Sequence, residues 1–491
     1  LSFLDSDLID KINLNFSTFY NLRNPRPLIS NLYLFVYIYY LIKFFYSEQR
    51  NISNYVNVIE ELVDEGLYFT AIPYIKEYLI QNTGRRNKKL DYLIDEVITK
   101  VGVKQFEVLP SKYLLSSRSP MLSYVLAKKY FRIGKYNKAL SALNGTIPGS
   151  HPAKPYALLL EGSAFSILKK KSSAKAAFKE CISLSDSFIS KTDFQDRKRQ
   201  LEMNRDYCIL GIPRVEFAKG KFDDADLSYL DLMKSSYVWP EILFEEAWNS
   251  FYQRDYNRAL GKLVTYKAPV LDYIFNPEVE ILRALTYLEL CLWSDTKRVV
   301  NNFYNKFQLP YQQLRFFLKK HRRDYKYFYL LAKSASKGRE RGSKLLSQML
   351  KSVLRDPAFI ELYRSFHFGK SEIKYIKSMQ NKKFARILNV NLKESLLLQR
   401  NLIGAYVRKS LHLMSSMVNK TMQDMSYIKL EVLARKKGEL YQTGSMNRGR
   451  GDIKYLTRND KQYFWSFNGE FWADELGDYV FSLKSECVNE P

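Results

Sequence analysis

Small and large apolar residues alternate along residues 123–303 at the spacing of a helical hairpin. The clearest copy follows the pattern L-x3-G-x2-F-x8-A-x3-F-x2-C from Leu158 to Cys181. The small residue of its second helix returns elsewhere, at Ala139, Ala174, Ala225, Ala259 and Thr296. The intervals are 35, 51, 34 and 37 residues, and three of them lie near the period of about 34 that is typical of stacked helix pairs. The pattern predicts an all-α fold built from consecutive hairpins.

A second set of small residues gives the pattern its physical reason. Twelve positions before the first set lie Ala127, Gly162, Ala247 and Ala284, so two helices are predicted to approach closely at each pair. The copy with Ala225 has Pro213 instead, which predicts a helix that is bent or starts late. The interval of 51 predicts an insertion of 17 residues, supplied by the polar stretch 186–205.

The predicted turns carry a glycine and, two residues later, an aromatic ring. Examples are Gly134 with Tyr136 and Gly220 with Phe222. A glycine ends the first helix of each hairpin and the ring covers the turn. In combination these features resemble the tetratricopeptide-repeat (TPR) family over about 180 residues, with a degenerate further copy around Gly66, Tyr68 and Ala71. The resemblance implies a TPR-like solenoid that binds segments of other proteins.

The remaining chain is divided by its sequence character. The prediction comprises an N-terminal helical cap (1–50), the repeat array (51–305), a basic helical region (306–380), a long helix (381–440), and a glycine-rich linker with an aromatic tail (441–491). The cap contains an apolar stretch at 32–42 that is too short to span a bilayer. It is interpreted as a buried helix, the alternative being a helix that docks on a membrane surface or a partner. Helix breaks are predicted near 338–342, at 356–357 and at Gly369.

The long helix carries apolar residues at alternating spacings of three and four. These are Leu411, Met414, Val418, Thr421, Met425, Ile428 and Val432. The spacing is that of a coiled-coil seam, which packs either on the rest of the chain or on a second chain. Packing on the rest of the chain is favoured, because the seam is short and extends poorly before Val407.

Charge is concentrated after the repeats. The chain has a net charge of +26, and residues 301–460 contribute +23 of it, with 34 basic against 11 acidic residues. Such a field predicts an anionic partner: an acidic protein, lipid headgroups, a cell-wall polymer or nucleic acid. The predicted contacts are Lys319, Lys320, Arg322, Arg323, Lys326, Arg339 and Arg341. Interleaved rings would allow stacking on bases, and a solvated basic helix face is the plainer interpretation.

The tail is the most aromatic part of the chain. Trp465, Phe467, Phe471 and Trp472 are predicted to make an aromatic contact, either by folding back on the long helix or by anchoring a partner. This tail and the passages 237–248 and 254–262 also resemble repeat proteins of deltaproteobacterial envelopes, of the kind associated with adventurous gliding motility. That resemblance implies a periplasmic or outer-membrane-associated scaffold in a motility machine. The chain begins at Leu1 without a methionine, which fits either removal of a signal sequence or a later start.

No constellation of residues in the sequence indicates catalysis. Four histidines and four cysteines lack metal-ligand spacing, and the cysteines are interpreted as buried apolar residues (Cys181, Cys291) or as a free thiol (Cys487) rather than as a disulfide framework. We therefore expect no enzyme activity, no cofactor, no metal and no small-molecule substrate. The expected function is a scaffold joining protein components of a bacterial envelope assembly. The alternative is a cytoplasmic TPR adaptor whose basic region binds RNA or DNA.

Overall fold

A computed structural model describes residues 52–81, 87–339, 342–436, 463–465 and 467–487. In this part of the chain the regular structure consists of nineteen α-helices and two short 3₁₀ turns, which confirms the all-α fold class. The predicted N-terminal cap with its apolar stretch at 32–42 lies outside the described residues, as does the glycine-rich linker.

The helices follow one another with short connections. They are α1 (Ile52–Asp64), α2 (Tyr68–Gln81), α3 (Lys88–Val101), α4 (Lys104–Glu107), α5 (Ser111–Leu114), α6 (Pro120–Arg132), α7 (Tyr136–Leu143), α8 (Lys154–Ile167), α9 (Lys171–Ser190), α10 (Gln195–Phe217), α11 (Phe222–Tyr229), α12 (Trp239–Tyr252), α13 (Tyr256–Val264), α14 (Val279–Glu289), α15 (Trp293–His321), α16 (Tyr325–Ala335), α17 (Lys344–Arg355), α18 (Pro357–Ser378) and α19 (Lys382–Lys436). The 3₁₀ turns cover Thr265–Lys267 and Pro269–Leu271.

The helix pairs coincide with the predicted hairpins. The pairs α6/α7, α8/α9, α12/α13 and α14/α15 each carry one small residue per helix at the predicted positions. Eight of the predicted small residues are exposed by 1% or less: Ala127, Ala139, Ala174, Ala225, Ala247, Ala259, Ala284 and Thr296. Burial of small residues on both helices is what close helix approach requires.

A residue with positive φ recurs at every one of these hairpin turns. Five residues before each small residue of the second helix stands a residue with positive φ: Gly66, Gly134, Lys169, Gly220, Arg254 and Cys291. The next backbone N–H then donates to a carbonyl five residues back, as in Lys135 to Tyr130 (2.9 Å) and Asp255 to Ser250 (2.9 Å). This is the Schellman closure of a helix end. The copy at Gly66 shows that the degenerate repeat predicted there is a real hairpin, α1/α2.

The aromatic residue after each predicted turn packs as expected. Tyr136 lies edge-on against Phe131 with ring centroids 5.3 Å apart, and Phe222 lies against Phe217 at the same distance. Each ring pair covers the turn that joins its two helices.

Gly162 is required by a ring rather than by Ala174. Phe178 of α9 is fully buried between Gly162 of α8 and Gly211 of α10. A Cβ at Gly162 would lie 2.5 Å from the Phe178 ring, and a Cβ at Gly211 would lie 2.6 Å from it. The two glycines therefore make the slot that this phenylalanine fills.

The predicted insertion at 186–205 extends two helices instead of forming a loop. The helix α9 has 20 residues and α10 has 23, compared with 8 for α7. Pro213 lies inside α10, which starts early, so the expectation of a late start was wrong. A disulfide between Cys181 and Cys208 joins the two extended helices.

The chain divides into two compact units. The first comprises Leu1–Gly211 and Ile360–Ile403, and the second comprises Ile212–Phe359 and Gly404–Pro491. The boundaries fall inside α10, α18 and α19, so the units cut across the five segments defined by sequence character.

Gly369 does not break a helix. It lies within α18, where a Cβ would be 2.7 Å from the Phe69 ring, so its absence of a side chain serves packing in the first unit. The predicted breaks at 338–342 and 356–357 do occur, between α16 and α17 and between α17 and α18.

The long helix α19 has 55 residues. Six of the seven seam residues predicted on its second half are buried, and Met414 is half-buried. Tyr304 and Tyr311 of α15 donate hydrogen bonds to the Met422 carbonyl (2.8 Å) and to Asn419 Oδ1 (3.0 Å). The seam therefore packs within the second unit, the outcome that its short length favoured.

Candidate binding surfaces

Five of the predicted cationic residues gather around one turn. Lys319 and Lys320 lie in the last turn of α15, Arg322 caps its C-terminus, Arg323 follows in the turn, and Lys326 lies in the first turn of α16. All five are exposed. We call these five residues the basic turn.

The structure does not bring the other two predicted cations to this place. Arg339 is exposed but follows the far end of α16. Eleven residues at 1.5 Å per residue separate the two ends of that helix by about 16 Å. Arg341 lies outside the described residues.

The charge of the basic turn is not matched by acidic neighbours. Its single carboxylate, Asp324, caps α16 by accepting a hydrogen bond from the Tyr327 N–H at 2.9 Å. Among the described residues, none of the five cations takes part in an ion pair. Lysines in the last turn of a helix also favour the helix dipole, which accounts for Lys319 and Lys320 but not for the cations beyond it.

The backbone of the basic turn is seated on the long helix. Arg322 has a positive φ of 38°, and its carbonyl accepts a hydrogen bond from Arg408 Nε of α19. Gly404 lies one turn earlier on α19, where a Cβ would collide with the backbone of Tyr325. Burial, followed by the charge of Arg323, lowers the pKa of Arg408, and the Tyr325 hydroxyl opposes this. The backbone of the basic turn is thus held by α19, while its cationic side chains are exposed.

The rings around the basic turn stack on one another. His321 and Tyr327 are parallel with centroids 3.6 Å apart, and Phe317 lies 4.8 Å from His321. Phe328 is fully buried and meets the edge of Phe317 at 6.3 Å. The ring faces that the sequence offered for stacking on bases are therefore used inside the protein.

Phe316 lies outside this ring cluster and is exposed. Phe316 is 71% exposed, and Leu309 on the same helix is 63% exposed. Phe316 precedes Lys319 and Lys320 by three and four residues, so the three side chains share one face of α15. The helical spacing was legible in the sequence, but only the structure shows that this face is the solvent side.

The tail folds back, although not where it was expected. The N–H of Gly477 donates to Thr265 Oγ1 at 3.1 Å, and the amide of Asn257 both donates to the Leu483 carbonyl (3.1 Å) and accepts from its N–H (2.9 Å). Phe481 completes a buried cluster with Leu260, Val264, Leu290 and Leu292. The tail thus packs on the hairpins α12/α13 and α14/α15, whereas the sequence analysis predicted that it would fold back on the long helix α19.

A disulfide between Cys291 and Cys487 closes this contact. Cys181 and Cys291 are buried as expected, but the two disulfides show that the expectation of a free thiol at Cys487 and of no disulfide framework was wrong. The error has a clear cause, because separations of 27 and 196 residues give no spacing motif from which pairing could be derived. The positive φ of Cys291 puts it where three other hairpins have glycine.

The predicted aromatic contact divides into two parts. Phe467 and Phe471 are half-buried and form a three-ring cluster with Tyr479, with centroids 5.2 Å to 5.9 Å apart. Trp465 and Trp472 remain 64% and 59% exposed. Folding back thus accounts for the two phenylalanines, and the two tryptophans are left as surface residues.

An open cavity beside the α10/α11 turn is lined by polar residues. It is bordered by Lys221, Asp223, Asp224, Asp255 and Arg258, among others. Two of its four aspartates are in ion pairs: Lys221 pairs with Asp224 at 3.1 Å, and Arg258 pairs with Asp255 at 3.2 Å. Among the described residues no three side chains are grouped so as to hold a metal ion.

Comparison with known proteins adds no family assignment. No protein-family model matches the chain, and no curated protein matches it significantly. In the part of the chain that the structure describes, none of the helices has the length and apolar character needed to cross a bilayer.

Proposed function

We propose that this protein is a non-enzymatic TPR-like scaffold that joins protein components of a bacterial cell-envelope assembly, with a motility machine as the favoured setting. The observation that carries the proposal is the pair of disulfides set into an array of helical hairpins. Stacked hairpins expose extended helical surfaces that bind other proteins. Disulfides persist in the periplasm and outside the cell and are rare in the cytosol.

Two surfaces are available to partners of different chemistry. The exposed tryptophans of the tail, Trp465 and Trp472, are of the residue type that most often anchors protein–protein contacts. The basic turn suits an anionic surface. A scaffold needs at least two such sites, because it must hold two components at once.

The cytoplasmic alternative, an adaptor binding RNA or DNA, finds less support. Binding single strands without base readout relies on aromatic faces that stack on bases. At the basic turn those faces are occupied by one another, since His321 and Tyr327 are stacked at 3.6 Å. Disulfides are also unusual in that compartment.

The proposal is tested by photo-crosslinking in the cell that makes the protein. A photoreactive phenylalanine analogue replaces Trp472, and the captured partners are identified by mass spectrometry. The matched control places the analogue at Phe194, an aromatic residue that is 77% exposed. We expect envelope proteins captured at residue 472 and not at 194. Capture of cytoplasmic proteins, or of the same set at both positions, would contradict the proposal.

A further inference from the structure

The second half of α15 presents a solvent face of unusual composition. Leu309, Phe316, Lys319 and Lys320 follow one another at intervals of seven, three and one residues, which places them on one side of the helix. Two apolar side chains, 63% and 71% exposed, occupy its centre, and the lysines stand beside them. We call these four residues the docking face.

The opposite side of the same helix accounts for its folding. Phe307, Tyr311, Leu314 and Leu318 are buried. The helix therefore packs against the core with one face, and Phe316 on the other face takes no part in that packing. Phe316 is therefore available for a contact with a partner.

Charge adds to this face at its C-terminal end. Arg322, Arg323 and Lys326 continue the positive field beyond Lys320, with Asp324 engaged in capping α16. Cations near an anionic membrane surface each contribute roughly a fivefold gain in binding. An apolar ring at the same level enters the boundary between headgroups and acyl chains.

We propose that the docking face and the basic turn together bind the anionic headgroups of a phospholipid bilayer, with Phe316 inserted at the headgroup boundary. This inference deepens the proposed function by naming the anionic partner of the scaffold. A lipid surface fits better than nucleic acid, because the exposed Phe316 is accompanied by an aliphatic residue, Leu309, whereas His321 and Tyr327 are stacked on each other. It fits better than an acidic protein because the exposed ring and leucine add an apolar contact to the lysines, which is the combination found on helices that lie at a membrane surface.

The test is sedimentation of the purified full-length protein with lipid vesicles. Vesicles containing phosphatidylglycerol are compared with vesicles of phosphatidylcholine alone, at low and high salt. We expect binding only to the anionic vesicles, weakened by salt because exposed charges are screened over about 8–10 Å. The variant Lys319→Gln/Lys320→Gln should bind roughly 25-fold more weakly, at about fivefold per cation.

The apolar contribution is tested separately. Phe316→Ser should weaken binding roughly tenfold, and Phe316→Trp should retain it, since tryptophan suits the same interface. Matched controls are Phe194→Ser, at a ring that is 77% exposed, and Lys169→Gln/Lys170→Gln, an exposed lysine pair at another hairpin turn. Both controls should bind as the unmodified protein does. All of these positions are exposed, so the variants should keep the unmodified thermal unfolding curve.

Three results would overturn the inference. They are absence of binding to anionic vesicles, equal binding by the docking-face and control variants, and tighter binding to single-stranded RNA that excludes vesicles. Because the assay contains no protein partner, its failure leaves the scaffold proposal standing. Conversely, failed crosslinking at residue 472 with intact vesicle binding would reject the protein partners and keep the lipid surface.

Discussion

The basic turn and the repeat turn at Gly220 each join two helices, and they differ in backbone closure and in charge. Each has a residue of positive φ, Arg322 or Gly220, and each is covered by an edge-on ring pair. At the repeat turn Lys221 is paired with Asp224, whereas the cations of the basic turn have no such partner in the described chain. The two turns are thus alike in the ring pair that covers them, and they differ in the charge that they present to a partner.

The first prediction, with the largest expected effect, concerns the disulfide that holds the tail rather than either turn. Removing the link between Cys291 and Cys487 as a double serine variant frees a loop of 196 residues, for which chain entropy gives up to about 5 kcal/mol. The shorter link between Cys181 and Cys208 gives about 3–4 kcal/mol by the same relation. Denaturant unfolding of the two variants measures these losses.

Vesicle binding by the variant lacking the Cys291–Cys487 link is the corresponding control. The basic turn is seated on α19, so its binding should be unchanged under conditions where the variant is folded. Loss of vesicle binding would show that the two regions are coupled, and the comparison would then fail.

The second prediction concerns the seat of the basic turn. Gly404→Ala places a methyl group against the backbone of Tyr325, which cannot move aside as a flexible side chain would. We expect a loss of about 3 kcal/mol in the free energy of unfolding, at the upper end for overpacking. Gly220→Ala meets open space and bears only the cost of positive φ, about 1–2 kcal/mol. Equal losses in thermal or denaturant unfolding would show that the two turns are supported alike.

The third prediction concerns the first hairpin, α1/α2, where the buried carboxylate of Glu372 is bound to the start of the second helix. Glu372 accepts hydrogen bonds from the N–H groups of Phe69 (2.8 Å) and Thr70 (3.0 Å) at the start of α2. Burial raises its pKa from 4.5 to about 7, against the lowering effect of these bonds. The folded state therefore holds the proton more tightly than the unfolded state.

The sign of the pH effect follows from this difference. The contribution of Glu372 is fully present below pH 4.5 and is lost as the pH rises through about 7, by roughly 3 kcal/mol. Glu372→Gln should remove that part of the pH dependence from unfolding curves recorded between pH 4.5 and 8. An unchanged dependence in the variant would mean that the carboxylate is ionised throughout.

The smallest effect tests the repeat seam. Gly162→Ala pushes a methyl group into the Phe178 ring and should cost about 1–3 kcal/mol of unfolding free energy. Gly149→Ala is the matched control, because nothing lies within 4 Å of the added Cβ and the backbone there is not in the positive-φ region. Its unfolding midpoint should stay close to that of the unmodified protein. If both variants melt alike, the slot around Phe178 is not tight.

The features that the sequence predicted well are those set by local periodicity. The hairpins follow from small residues twelve positions apart, and the end of α19 was predicted within four residues because no proline interrupts 381–440. The helix break predicted at Gly369 was wrong because the sequence alone does not distinguish a glycine that ends a helix from one that makes room for a neighbouring ring, here Phe69. The late helix start predicted from Pro213 was wrong because α10 begins at Gln195, well before the proline.

The candidate sites were less predictable because they depend on contacts between distant residues. The run from Lys319 to Lys326 is visible as charge, but the stacking of His321 on Tyr327 and the exposure of Phe316 depend on which side of α15 is buried. The pairing of Cys291 with Cys487 spans 196 residues and has no local signature. Sequence periodicity predicts which residues are neighbours within a hairpin, but it does not predict that a distant tail packs on that hairpin.

The oxidation state of the four cysteines tests the central claim most directly. The protein is taken from the cell that makes it, alkylated under denaturing conditions before and after reduction, and weighed by mass spectrometry. A scaffold of the cell envelope with the pairs Cys181–Cys208 and Cys291–Cys487 should take up no label before reduction and four labels after it. Four labels before reduction would place the chain in a reducing compartment and contradict the proposed envelope function.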